Sequence, residues 1–173
     1  TEYCWLMPDD DIIREKALPQ VLSVLGNKKP SLFLVNSSVY NEELTMAIKQ
    51  RSFTENSFLK VISSKNISEV EHILSYIGSC IFNRRLWLKY LDKKNIGTYF
   101  NNVYVSEKLL KNDYVILATN LICINIRANN ALWTEKSFQI WTENWPLACR
   151  SLRNAEAPCR KDLSATTLLY YYV

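Results

Sequence analysis

The sequence predicts an α/β fold, a mixed sheet with flanking helices, on three observations. Apolar runs of strand length stand at Tyr3 to Met7 and Ser31 to Val35, and Tyr114 to Ile126 is strongly β in character. Between them, apolar residues recur at helical spacing, as in Leu18, Val21, Leu22 and Leu25 and again in Val70, Ile73, Leu74 and Ile77. The two kinds of segment alternate along the chain, which is the order expected of helices laid on a sheet.

Each element has a local reason. Tyr3 to Met7 is apolar at every position, so a strand buried on both faces is expected there, as in a parallel sheet. It passes through Pro8 into three carboxylates, Asp9, Asp10 and Asp11. Pro19 suits a first helical turn and not an interior, so the first helix is expected to begin near Ala17. Gly26-Asn27, with Pro30 beyond, is its stop signal. Ser31 to Val35 is a second buried strand. Asn41 to Lys49 reads as weakly helical, and Arg51 to Asn66 as polar and irregular with Phe53 and Phe58 as anchors. Ser68-Glu69-Val70-Glu71 has the form of a capping box, so a helix is expected from there to Gly78. Ser79 to Phe82 is a short strand, and Asn83 caps a helix that carries Leu86, Trp87 and Leu91. Gly97-Thr98 precedes a segment with Tyr99, Phe100 and Val103. Tyr114 to Ile126 is strongly β, Arg127 to Asn130 is a loop, and Trp133, Phe138, Ile140, Trp141 and Trp145 mark a helix-like stretch. From Leu152 to Asp162 the chain turns polar.

Composition narrows the class. At 173 residues the chain amounts to one domain with room for a core, and 48% hydrophobic against 22% charged residues is the balance of a globular protein. The formal charge of +4 is mildly basic, and the 21 basic residues read as scattered, which argues against a nucleic-acid partner. Three glycines leave no Gly-rich phosphate loop, and no run approaches the ~18 apolar residues of a membrane span. Five cysteines, Cys4, Cys80, Cys123, Cys149 and Cys159, lie far apart with no C-x-x-C pair, as expected of reduced thiols in the cytoplasm. The sequons at Asn36 and Asn66 are then chance matches. The chain opens at Thr1 inside an apparent strand, and a piece of something longer is expected.

Three adjacent carboxylates repel one another unless a cation, donors or water offset the charge. In one reading, Asp9 to Asp11 cap a helix and favour its positive end. In the other, alternate acids offer oxygens to a hard cation, Mg²⁺ or Mn²⁺, and a bound phosphate completes the shell. Pro19 favours the second, because a helix that begins near Ala17 leaves Asp11 about two turns too early to cap it.

Four ordered blocks surround this feature: Tyr3-Cys4-Trp5-Leu6-Met7-Pro8-Asp9-Asp10-Asp11-Ile12 with Ala17-Leu18; Tyr76-Ile77-Gly78-Ser79-Cys80-Ile81-Phe82-Asn83-Arg84 with Trp87; Gly97-Thr98-Tyr99-Phe100; and Arg127, Asn130-Ala131, Trp133-Thr134, Phe138, Ile140-Trp141 and Trp145-Pro146. Together they resemble the D-x-D region and the segments C-terminal to it in bacterial family 2 glycosyltransferases. The nearest resemblance is to the abequosyltransferase-like group that builds O-antigen and other surface polysaccharides. It spans roughly residues 1–150, with 151–173 as a divergent tail. The resemblance implies a partial GT-A-like, Rossmann-like sheet whose nucleotide-binding strands precede the Asp loop and are missing here. It further implies a nucleotide-sugar donor, a glycan or glycolipid acceptor and a divalent Mg or Mn ion. It also implies a cytoplasmic location, with peripheral contact at the inner membrane. Residue by residue, Asp9 and Asp11 become the metal pair, Asp10, Arg127 and Trp133 the donor side, and Ser79, Gly97, Thr98 and Asn102 the acceptor side.

Three departures qualify the carry-over. Pro8 stands where the family's pattern has Gly, Asn102 falls near an expected histidine, and the segment after Leu152 does not match. An amide is no general base at neutral pH, so no catalytic base is assigned. Plainer readings stand beside these roles. Trp87, Trp133, Trp141 and Trp145 fit packing, Arg127 a solvated loop charge, and His72, the single histidine, a structural position. No Ser-His-Asp or Cys-His arrangement is present, and a metal-dependent phosphoryl enzyme lacks further ligands. The expected parent is therefore a sugar transferase, of which the chain is a fragment or divergent copy. The alternative is a non-catalytic carbohydrate-binding or interaction module.

Overall fold

The computed structural model describes residues 1–51, 58–129 and 134–153. The first half contains β1 (Tyr3–Trp5), β2 (Ile12–Ile13), α1 (Leu18–Lys28), β3 (Leu32–Tyr40), β4 (Ala47–Arg51), β5 (Leu59–Ile62) and α2 (Glu71–Leu74). The second contains β6 (Cys80–Asn83), α3 (Arg84–Tyr90), α4 (Asn101–Lys111), β7 (Ile116–Arg127), α5 (Ser137–Gln139) and α6 (Trp145–Leu152). A π-helical turn, Ile140–Asn144, joins the last two helices.

The strands form one mixed sheet. Its spine is β3 running parallel to β7, from Leu32 opposite Ile116 to Tyr40 opposite Arg127, with register shifts on either side of Asn36. The other pairings among the described residues are antiparallel. β6 lies on the first half of β3 and β4 on its second half, and β1 extends the sheet beyond β6. β5 and then β2 line the far edge of β7. The chain is thus a mixed α/β protein.

Two apolar layers hold the helices to this sheet, and the period-2 geometry of strands explains both. Leu32 and Leu34 of β3, Cys80 and Phe82 of β6, and Ile116 and Ala118 of β7 join α2, α4 and α6 in one core. Their neighbours Phe33 and Val35, Ile81, and Leu117 point to the opposite face and meet Val21, Val24 and Leu25 of α1. The continuous apolar run beginning at Ser31 is thereby accounted for. Trp141 and Trp145 are each 8% exposed, and both rings meet Phe100. Trp87 packs on Phe82 with 4.7 Å between ring centroids, so these three tryptophans are packing residues.

Several sequence expectations need correction. β1 is a half-buried strand at the sheet's edge with an antiparallel partner, not a strand buried in a parallel sheet. α1 runs through Gly26 and Asn27 and stops where Lys29 adopts a left-handed φ of 44°. Leu18 and Leu22 face solvent, and Val24 takes the place expected of them. Asn41 to Lys49 is no helix. The Asn41 carboxamide oxygen accepts the N–H groups of Thr45 and Met46, and that turn feeds β4. β5 likewise lies within the stretch read as irregular. The capping box does not form, because Glu71 instead pairs with Arg153, and α2 ends at Leu74. Phe53, Asn130, Ala131, Trp133 and the tail from residue 154 lie outside the described residues.

Among the described residues, no helix is long and apolar enough to cross a membrane. Cys4, Cys80 and Cys123 are free thiols, and Cys80, Cys123 and Cys149 are buried.

Candidate functional site

The Asp loop closes over the carboxyl ends of the parallel strand pair, where open α/β sheets bind ligands. β1 ends at Trp5, Asp9 and Asp10 form a turn, and Asp11 leads into β2. Ile12 and Ile13 then pair with Asn125 and Ile124, which brings the acids beside the last residue of β7. Asp9 is exposed, whereas Asp10 and Asp11 are half-buried.

Asp11 is the knot of the site. Its Oδ1 accepts the backbone N–H of Arg127 at 2.9 Å, and its Oδ2 accepts the Tyr76 hydroxyl. Charge-assisted bonds of this kind are the stronger ones, so the carboxylate is held from two sides. The Arg127 side chain strengthens the same junction. Its Nε donates to the Asp10 carbonyl at 3.3 Å and one terminal nitrogen donates to the Glu42 carbonyl at 2.7 Å. The guanidinium therefore binds the Asp loop to the turn after β3, with its charge beside the acids.

Arg14 does the same one strand along. Its Nε donates to Asn125 Oδ1 at 2.9 Å and a terminal nitrogen donates to the Tyr40 hydroxyl at 3.0 Å, while its backbone N–H meets the Cys123 carbonyl. Burial pushes the Cys123 thiol up to about 12, and the nearby Arg14 charge opposes this only in part.

Tyr76 reaches Asp11 because Gly78 leaves room for it. A Cβ built on Gly78 would overlap the Tyr76 ring at Cζ and Oη. Trp5 locks the same turn, its Nε1 donating to the Gly78 carbonyl at 2.6 Å. Gly78→Ala is therefore expected to displace the Tyr76 ring and break its bond to Asp11, at a cost of about 1–2 kcal/mol in urea unfolding. Tyr76→Phe should then add little to Gly78→Ala. Full additivity of the two would mean that the glycine acts elsewhere.

The other expected site residues lie as follows. Ser79 is 1% exposed, and its N–H meets the Tyr76 carbonyl at 3.0 Å, so the block 76–79 is drawn to the Asp loop through Tyr76. Gly97 has a φ of 92°, a left-handed conformation that favours glycine, in the turn before α4. The Thr98 hydroxyl donates to the Asn95 carbonyl at 2.8 Å. Asn102 is 1% exposed in α4, where its amide donates to the Leu74 carbonyl at 2.6 Å and to Cys80 Sγ at 3.6 Å. Trp133 lies outside the described residues. The structure thus joins Asp10, Asp11 and Arg127, with Ser79 close behind Tyr76, while the bonds of Thr98 and Asn102 run elsewhere.

The sequence assigned no site role of their own to Tyr76 or Arg14, and it read Gly78 only as the end of a helix. The available signal was one of only three glycines set two residues after a tyrosine.

Among the described residues, no group of three or more His, Cys, Asp or Glu side chains converges as a ready-made metal cage. Mg²⁺ does not need one, because it is commonly held by one or two carboxylates, waters and substrate phosphates. An exposed Asp9 two residues from an oriented Asp11 fits that simpler demand. No protein-family model matches the chain, and no curated protein matches it either.

Proposed function

We propose that this chain is the metal- and diphosphate-holding part of a nucleotide-sugar-dependent glycosyltransferase of GT-A type, acting in bacterial surface-polysaccharide synthesis. One observation carries the reading. Asp11 and Arg127, 116 positions apart and assigned by the resemblance to metal and diphosphate, meet at the carboxyl ends of the central strands. In the reaction an acceptor hydroxyl oxygen attacks the anomeric carbon and gives up its proton to water, while the bond from that carbon to the diphosphate oxygen breaks, the diphosphate leaving with the electron pair. A bound Mg²⁺ or Mn²⁺ supplies positive charge that offsets the charge on the departing group. Asp9 and Asp11 would hold it. Tyr76 and the Arg127 N–H keep Asp11 in one orientation, and the Arg127 guanidinium adds a fixed positive charge beside it.

The test is Mn²⁺ titration of the full chain, followed by electron paramagnetic resonance, alone and with inorganic diphosphate. Asp9 is exposed, so Asp9→Ala tests the ligand without disturbing the fold. The expected result is binding about tenfold or more weaker in the variant, as loss of a metal-supporting group generally produces. Equal affinity in both proteins would remove the metal, and with it this mechanism.

A second reading is favoured by Asn102. The position nearest the family's histidine is sealed in the core, so it offers no proton acceptor to a substrate. A non-catalytic carbohydrate-binding module needs none. Glycan binding that persists in a metal chelator would select that reading.

A further inference from the structure

We propose that the outer face of α3 and the turn after it, residues 84–99, dock on an anionic lipid surface. This inference is independent of whether the Asp loop holds a metal. Arg84, Arg85, Lys89, Lys93 and Lys94 are five of the 21 basic residues, and Asp92 is the one carboxylate among residues 84–99. Removing this segment leaves sixteen basic and sixteen acidic residues, so the whole net charge of +4 resides in it. The basic residues, which read along the sequence as scattered, are therefore massed in their net effect.

All five of these cations are exposed. Leu86, Trp87 and Tyr90 turn inward against the core, which leaves Arg84, Arg85, Leu88 and Lys89 on the outer side of α3. Asp92 spends its carboxylate locally by accepting the Lys94 N–H at 2.9 Å. Glu2 shares an open hollow with Arg84, Arg85 and Leu88 and is the one acidic residue lining it.

Apolar side chains stand among these charges. Leu88 is 58% exposed, Ile96 64% and Tyr99 46%. The aliphatic Leu88 and Ile96, set in a basic surface, gain nothing from a phosphodiester backbone, whereas a bilayer interface takes both: headgroup phosphates meet the cations, and the acyl boundary takes the side chains. That combination favours a lipid surface over nucleic acid.

The experiment is co-sedimentation of the full chain with vesicles of phosphatidylcholine alone and of an equal mixture with phosphatidylglycerol. Binding is expected to the mixed vesicles only, and to fall as salt is raised. Each basic residue near such a surface contributes about fivefold to partition, so Arg85→Ala with Lys89→Ala should weaken it about 25-fold. Leu88→Ser should weaken it several-fold at constant salt. All three positions are exposed, so circular dichroism should show unchanged folding. Equal binding to neutral vesicles, no binding to either, or a wild-type level in both variants would overturn the proposal. So would binding of a single-stranded oligonucleotide as tight as that of the vesicles and indifferent to Leu88→Ser, which would reassign the surface to nucleic acid.

Discussion

Asp11→Ala is expected to lower the free energy of unfolding by roughly 3 kcal/mol, a large share of the 5–15 kcal/mol typical of a domain. The carboxylate accepts bonds from the Arg127 amide and the Tyr76 hydroxyl, which approach from β7 and from the turn before β6. Hydrogen bonds to a charged group contribute about 1.5–3 kcal/mol each, and half-burial places these two toward the lower end. Removing the acceptor also strands a backbone donor at the end of a central strand. Asp11→Asn should retain most of the stability, because its oxygen still accepts from Arg127 and its amide can donate to the Tyr76 oxygen. Urea unfolding of both variants checks this. An unchanged midpoint in Asp11→Ala would show that the Asp loop is not fastened as described. With Asp9→Ala the pair separates two roles, since Asp9 is expected to change metal affinity alone and Asp11 both affinity and stability.

Alkali is expected to destabilise the protein, with stability falling between pH 9 and 12. Burial pushes the Cys80 thiol up to about 12, with a weaker opposing effect from the Asn102 amide, and raises Cys123 to about 12 as well. Both folded-state values stand above the ordinary thiol value of 9.0. Each thiol therefore contributes stability that is complete below pH 9 and is lost as the pH rises toward the folded value. The unfolded chain gives up the proton first and is favoured. Each contributes a slope of about 1.4 kcal/mol per pH unit, so the two together remove roughly 5 kcal/mol by pH 11. Denaturant unfolding across this range measures it. Cys80→Ala lowers the baseline by leaving a small cavity, but its diagnostic effect is on the slope, which should fall by about half. A stability flat from pH 9 to 11 would contradict the burial argument.

The parts of this molecule legible in its sequence are those determined by neighbours within a turn or two. Pro19 placed the start of α1 close to Leu18, and Asn83 caps α3 by accepting the Leu86 N–H at 3.3 Å. The apolar run in the first half of β3, Leu32 to Val35, announced a strand covered on both faces. Elements missed or misplaced depended on distant partners. β4 and β5 carry Lys49 and Lys60 and exposed Ile48 and Val61, so little in their own pattern says strand; β3 and β7 supply the pairing. Glu71 had the spacing of a capping residue, yet Arg153, 82 positions away, offers two bonds to its carboxylate.

The candidate site divides the same way. By itself the sequence determined that three acids follow a short apolar strand and stand too early to cap α1, because charge and helix geometry are local properties. Only the tertiary structure decided what holds those acids. Tyr76 and Arg127 lie 65 and 116 positions from Asp11, and no pattern of periodicity or propensity extends so far. The sheet brings them together, since parallel β3 and β7 end side by side and β2 pins the Asp loop across them. The same folding hides Asn102 and leaves Arg85, Leu88 and Lys89 outside, a choice made by which face of each helix the core could take.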